Sequence, residues 1–379
     1  MLQWQRFLLS LGMGTALAVL PVTVSSPVWA AQKTAAPAKT AKKAVVKRKS
    51  AAARSTPRKA VVKKSTRTAV TKKSRSATRS AKAKVSKKVR GKRTARRVVR
   101  RPVFRGPSQA MLAGLRNTDD PLDLGSSVAY IVDQDTGEEL FQKNADVSLP
   151  IASVTKLMTA LVIAESGVSM EESVRITRED YLSSRAHSKL RNGMVMKRSE
   201  LLKAALMSSD NRAAHALARS TPQGLSAFIS QMNATARRLG MTDTVFADPT
   251  GLDNRNHSTA RDLAKLVAAA YEYKDIREAS TLSAAQLRAG RYVLNMHTTN
   301  RLIGDPNWNI GIQKTGFTTA AGRCMVVQSE VGSRRVVMVV LDSPNNTQRA
   351  ADMTSMKHFV ESENRIDRQF STANPYELF

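Results

Sequence analysis

An α+β fold, α/β in the broad sense, is what this chain predicts: an antiparallel sheet flanked by helices, with a helical lobe inserted between its strands. Three observations carry that reading. Strand-like apolar runs stand at both ends of the region after residue 107, helix-forming runs fill its middle, and short turns join neighbouring strands into hairpins.

In chain order, residues 1–30 read as a removable secretory signal. Arg6 makes a short basic start, 7–22 are mainly apolar, and Val28-Trp29-Ala30 sets small residues where a signal peptidase reads. The apolar run is short for a membrane span. The mature chain is expected to begin near Ala31, exported to the periplasm or cell envelope. No cysteine follows the signal to accept lipid, and the only one, Cys324, rules out an internal disulfide.

Residues 31–107 are of a different composition. Twenty-nine of the 61 Lys and Arg lie between Lys33 and Arg105, and no Asp or Glu precedes Asp119. A segment of Lys, Arg, Ala, Ser, Thr and Val buries too little apolar surface to offset its ordering entropy, so it is expected to be disordered and extended. Removing those 29 and Arg6 leaves 31 basic residues against 30 acidic, so the net charge of +31 belongs to the tail and the remainder is nearly neutral. A basic tail on a neutral, exported domain points to anionic envelope polymers or lipid head groups. No aromatic precedes Phe104 in the segment, so stacked bases have no platform and no specific nucleic acid is expected.

From residue 108 to 379 the composition is that of one globular domain. Residues 127–133 form an expected strand, Asp135-Thr136-Gly137 a turn and 138–142 the hairpin partner. An apolar helix opening at Ser153 follows at once, buried on every side. Residues 169–198 show no clean periodicity, although Asn192-Gly193 marks a turn. A helix over 199–207 with Ser199 as its cap, another over 212–218, and a third over 223–239 closed by Gly240 make the lobe. Thr259-Ala260-Arg261-Asp262 is a capping box opening a helix that runs to Tyr273. Strands return at 309–316, 324–328 and 335–341, the last two joined across Val331-Gly332-Ser333, and an amphipathic helix spans 346–360.

Three short motifs carry chemistry. Ser153-Val154-Thr155-Lys156 is the sole Ser-x-x-Lys, and on a helix its spacing sets hydroxyl and amine one turn apart on one face. A buried lysine loses its proton readily, and a neutral amine beside a serine can act as its base. Ser209-Asp210-Asn211 sits between two helices, and Lys314-Thr315-Gly316, the sole Lys-[Ser/Thr]-Gly, ends a strand. Taken singly, each reads as structure: an N-cap serine with a surface lysine, a helix cap, a strand end. Their order, after a hairpin, within a helical lobe and on a returning strand, argues for a shared site.

In these motifs the chain resembles the penicillin-recognising serine enzymes, and within them the low-molecular-mass penicillin-binding proteins of the D-alanyl-D-alanine endopeptidase group. The closer likeness lies in 150–162, 206–214, 248–252, 259–263 and 315–324, and the whole covers roughly 125–360. The resemblance implies a β-lactamase/transpeptidase-like fold, and cleavage of D-Ala cross-links in peptidoglycan through an acyl-enzyme. It implies peptidoglycan stem peptides as substrate, β-lactams as covalent inhibitors, and no cofactor. Catalytic roles would fall to Ser153 as nucleophile, Lys156 as base, its pKa lowered by burial and by Lys314, and Ser209 as proton relay to the leaving amine. Asn211 would hold the substrate amide, and Lys314 and Thr315 its carboxylate or adjoining peptide. Gly316 would let the substrate backbone approach, and the backbone N–H groups of Ser153 and Phe317 would form the oxyanion hole.

Rival readings are separable. A class A β-lactamase needs a Glu-x-x-Leu-Asn loop, which this chain lacks. A D,D-carboxypeptidase of this type usually adds a β-rich domain and an anchor helix, for which the 38 residues after Leu341 are too few. A polyanion-binding protein without activity fits the tail but not the export signal. The five histidines show no His-x-x-x-His pairing, so no metal is expected. His215 reads as packed or solvated, and Cys324 as a core residue.

Overall fold

The computed structural model describes residues 106–182 and 188–372. The expected signal (1–30) and nearly all of the basic segment (31–107) lie outside the described residues.

Ser108 caps the short helix α1 (Gln109–Leu112), its Oγ accepting from Met111 N at 3.1 Å. Strands β1 (Val128–Asp133) and β2 (Glu139–Lys143) form the first hairpin, with Asp133 Oδ1 accepting from the N–H groups of Asp135 and Thr136 in the turn. A two-residue strand β3 (Leu149–Pro150) leads through a 3-10 turn, Ala152–Thr155, into helix α2 (Lys156–Glu165). The helix therefore opens at Lys156 rather than at Ser153, which sits in the tighter turn. Every residue of α2 from Lys156 to Ile163 is buried, as a sequence apolar but for Lys156 and Thr159 leads one to expect.

The aperiodic region contains a small hairpin, β4 (Ser173–Arg175) with β5 (Val195–Lys197), invisible to pattern because its strands are three residues each. Helix α3 (Arg198–Met207) has Lys197 at its N-cap position, with no side-chain cap, and Ser199 lies inside the helix. The expected Ser199 cap fails because Arg198 is already helical, fully buried and tied to Glu172 and Ser220. Next come α4 (Asn211–Arg219), with Asp210 as N-cap to Ala213 N, and α5 (Gly224–Arg238), followed by Gly240 at φ +68°. The short strand β6 (His257–Ser258) pairs with β3. Helix α6 (Ala260–Tyr271) opens at Thr259, whose side chain accepts from Asp262 N. Helix α7 (Lys274–Thr281) and the hairpin of β7 (Ala284–Ala289) and β8 (Tyr292–His297) were not legible beforehand. The chain closes with β9 (Asn309–Thr318), β10 (Gly322–Val331), β11 (Arg334–Ser343) and α8 (Asn346–Thr372).

The main sheet is antiparallel in the order β2-β1-β11-β10-β9, so the first strand pairs with the last, Val128 opposite Leu341. Its two faces are both covered. Val128, Tyr130, Val326, Val337 and Val339 face the helical core with α2 and α6, while Ala129, Ile131, Met325, Met338 and Val340 pack against Met353, Met356 and Val360 of α8. Burial of both faces explains why 336–341 read as an unbroken apolar run rather than an alternating one. At the far edge of the sheet, β9 lies against the 3-10 turn. His215 is packed, its Nδ1 2.8 Å from Asp180 Oδ1, and Cys324 is fully buried, its thiol pushed up to about 12 by burial.

Candidate active site

The turn that carries Ser153 is held from behind and in front. Ala152 has φ +48°, a left-handed conformation that costs a non-glycine residue about 1 kcal/mol or more. Behind it, Gly251 (φ +80°) presses so close that a Cβ there would stand 1.8 Å from Ala152 O. In front, a Cβ on Gly316 of β9 would meet Ile151 O at 2.9 Å and Ser153 N at 3.0 Å. Gly316 is thus required by the approach of the strand to the serine's own turn, a packing reason beside the one expected for the substrate backbone. Asn256 fastens the loop 248–256, donating to Thr155 Oγ1 at 3.0 Å and to Asp248 O at 2.9 Å, while its own carbonyl accepts from Ile151 N.

Lys156 is fully buried at the start of α2. Its Nζ lies 2.8 Å from Ser153 Oγ, 2.6 Å from Asn211 Oδ1 and 2.6 Å from Thr250 O. Three oxygen neighbours satisfy an ammonium. A neutral amine has two N–H donors, enough for Asn211 and the Thr250 carbonyl, and one lone pair, which then faces the Ser153 hydroxyl. Burial lowers the Lys156 pKa to about 7, against the opposing pull of the Asp248 and Asp210 carboxylates. Burial first, then Lys156 and Arg349, hold the Lys314 pKa well below the ordinary lysine range, and the repulsion between the two buried lysines is mutual.

Ser209 occupies the link between α3 and α4 at φ +58°, with Asp210 capping α4 behind it. Burial raises the Asp210 pKa. Lys314 Nζ, fully buried on β9, donates to Ser209 Oγ at 2.9 Å and to Thr315 O at 2.7 Å. The Thr315 hydroxyl is 2.6 Å from that of Thr299. Phe317 is 37 % exposed on the outer strand, with the Arg323 guanidinium 4.7 Å from its ring centroid. The three motifs, which start at residues 153, 209 and 314, therefore meet around one serine. Asn211 belongs to the Lys156 network through Oδ1, which leaves its Nδ2 as the end that can meet a substrate.

Sequence reasoning missed Thr250, Gly251, Asn256 and Thr299 as parts of the site. Asp248-Pro249-Thr250-Gly251 lies in a stretch of closer likeness, but the contact of Thr250 with Lys156 crosses 94 residues of chain and runs through a backbone carbonyl, which no side-chain pattern encodes.

A serine bonded to a buried, readily neutral lysine, beside a second serine bonded to a second lysine at a sheet edge, is equipment for acyl transfer through a covalent serine intermediate. Residues 116–345 match the model of the peptidase S11 family, D-alanyl-D-alanine carboxypeptidase. The chain belongs to that family of serine peptidases. It is 40 % identical over 243 residues to a D-alanyl-D-alanine endopeptidase of Pseudomonas aeruginosa, and 38 % identical over 243 residues to one of Escherichia coli, each match covering 63 % of this chain and 78 % of the relative. Among solved structures, the Streptomyces K15 DD-transpeptidase superposes with a TM-score of 0.58 at 27 % identity, over 64 % of this chain and 98 % of that one. Penicillin-binding protein D2 of Listeria monocytogenes, in its cefotaxime-bound form, superposes with a TM-score of 0.58 at 28 % identity, over 64 % of this chain and 99 % of that one.

Proposed function

We propose that this protein is an exported D-alanyl-D-alanine endopeptidase that opens D-Ala cross-links between peptidoglycan stem peptides, with 108–379 as its catalytic domain. The observation that carries the reading is the contact of the buried Lys156 amine with Ser153 Oγ at 2.8 Å. Neutral Lys156 takes the Ser153 proton as Oγ attacks the D-Ala carbonyl, giving an acyl-enzyme. The oxyanion is held by the N–H groups of Ser153 and Phe317, each such donor worth about 3 kcal/mol of barrier. Ser209, fed by Lys314, passes a proton to the leaving amine. Water then releases the acyl group by the reverse path. Asn211 Nδ2 receives a substrate carbonyl, and Lys314 with Thr315 holds the substrate's carboxylate or adjoining peptide along β9, whose outer edge is open to an added strand.

Support for the endopeptidase over the carboxypeptidase comes from the order of likeness. Relatives named as endopeptidases are 37–40 % identical to this chain, and those named as carboxypeptidases 26–31 %. Action on the cell wall implies an extracytoplasmic location, consistent with a signal over 1–30 and cleavage near Ala31. β-Lactams would acylate Ser153 as substrate mimics, and the basic segment would bind anionic envelope polymers or lipid head groups. Digestion of purified muropeptides tests the reading: cross-linked dimers are expected to fall to monomers. Loss of a single D-Ala from pentapeptides, with dimers left intact, would contradict it in favour of the carboxypeptidase.

A further inference from the structure

A cleft of about 870 Å³ opens between residues 188–195 and the tip of the β7–β8 hairpin. None of the motif residues lines it, yet it adjoins them. Ser188, at one end, hydrogen-bonds the Asp210 carboxylate next to Ser209, and Arg212 of α4 donates to Leu190 O. The hairpin side is tied to the same turn, with Ser208 Oγ donating to His297 O at 2.9 Å and Thr299 N to Met207 O at 3.2 Å. From that turn β8 runs back to Tyr292, and its last three residues, Leu294 to Tyr292, line the cleft together with the hairpin tip Ala289-Gly290-Arg291. At Ser188 the cleft thus comes within one residue of Ser209, the proposed proton relay to the leaving amine.

Its charge is one-sided. Among the described residues, Lys189, Arg191 and Arg291 line it and no Asp or Glu does. The neighbouring carboxylate, Glu200, is taken up by Arg288 N and Lys203. Tyr292 and Val293, 45 % and 56 % exposed, add apolar surface at the far end. A released D-Ala would need neither this volume nor these cations. A stem peptide leaving from a cross-link would use both, because it departs as a peptide with free carboxylates.

Resting on the endopeptidase reading, we infer that this cleft holds the leaving stem of a cross-linked dimer, an acidic peptide, and so sets specificity for cross-linked over single stems. Arg191 and Arg291 are its anchoring cations and take no part in acylation.

The test uses the full chain and two purified muropeptide dimers, one with the carboxyls of its leaving stem free and one with them amidated. Replacing both cations, Arg191→Glu with Arg291→Glu, is expected to raise KM for the free-carboxyl dimer about tenfold or more, with kcat and the rate of penicillin acylation within about twofold. Amidation should raise KM for the wild type by a similar factor and should not raise that of the charge-reversed variant, where it removes a like-charge repulsion. The milder pair, Arg191→Gln with Arg291→Gln, must show the KM rise with penicillin acylation intact, so that misfolding of the reversed pair cannot mimic the effect. Dimer cleavage by either variant with wild-type KM overturns the cleft assignment and leaves the endopeptidase reading standing. A wild-type enzyme that trims pentapeptides but leaves dimers whole overturns both.

Discussion

At Lys156 the protein sets the desolvation of a buried amine against three oxygen neighbours, and the result is a group near neutrality at about pH 7. Because the active form is the deprotonated one, acylation should rise with pH through about 7 and level off above it. At pH 5 the neutral fraction, and with it the acylation rate, should be about a hundredfold below the plateau. Stopped-flow labelling with a fluorescent penicillin across pH 5–9 checks this, and a flat profile would remove the assignment of Lys156 as base. Lys156→Arg keeps the charge but cannot lose it, so acylation should fall by roughly three orders of magnitude or more with the fold intact. Lys314→Arg retains a donor for Ser209 and should be milder in the same assay. Ser153, Lys156, Ser209, Asn211, Lys314, Thr315 and Gly316 were legible because each motif fixes side-chain chemistry at a short spacing. Thr250 was not, since what it supplies is a carbonyl.

Among elements, the nucleophile turn depends on two glycines for different reasons. Gly251→Ala combines an unfavourable φ with a collision against Ala152 O, and should lower the unfolding free energy by about 1–2 kcal/mol or more while cutting acylation at least tenfold. Gly316 has an ordinary φ, but a Cβ there would meet backbone at Ile151 O, 2.9 Å away, and at Ser153 N, 3.0 Å away, a milder collision than that at Gly251. Gly316→Ala should therefore slow acylation with a smaller loss of thermal stability, and paired melting and labelling measurements separate the two. The same scale shows what periodicity can and cannot reveal. β1, β10 and β11 announce themselves through apolar runs, and α6 through the Thr259 cap. The hairpins β4–β5 and β7–β8 do not. The first has three-residue strands, and the second mixes Arg, Gln, Asn and Ala with an exposed outer surface, so neither carries a burial pattern strong enough to stand out. Ser199 illustrates the reverse error, a capping residue by type whose place is taken because the buried Arg198 starts the helix one residue earlier.

For the whole molecule, closure of the sheet joins β1 near one end of the domain to β11 near the other, and brings the motifs of three distant segments to one edge. The strands-helices-strands order made that architecture readable, while the burial of both sheet faces appears in sequence only as the length of the apolar runs. The basic segment is read from composition alone. If it binds anionic polymers by counterion release, the full mature protein should sediment with isolated envelopes at low salt and be released at high salt. A chain beginning at residue 108 should stay in the supernatant at both, with its turnover of soluble muropeptides unchanged. Equal sedimentation of the two would assign anchoring to the catalytic domain and reduce the segment to a spacer.

The central claim is that Ser153, activated by Lys156, forms the acyl-enzyme, and the most direct measurement is mass-spectrometric mapping of the residue that penicillin labels. The mature protein should carry one stable adduct, on Ser153, and Ser153→Ala should carry none. An adduct on Ser209, or undiminished labelling of the Ser153→Ala protein, would contradict the account.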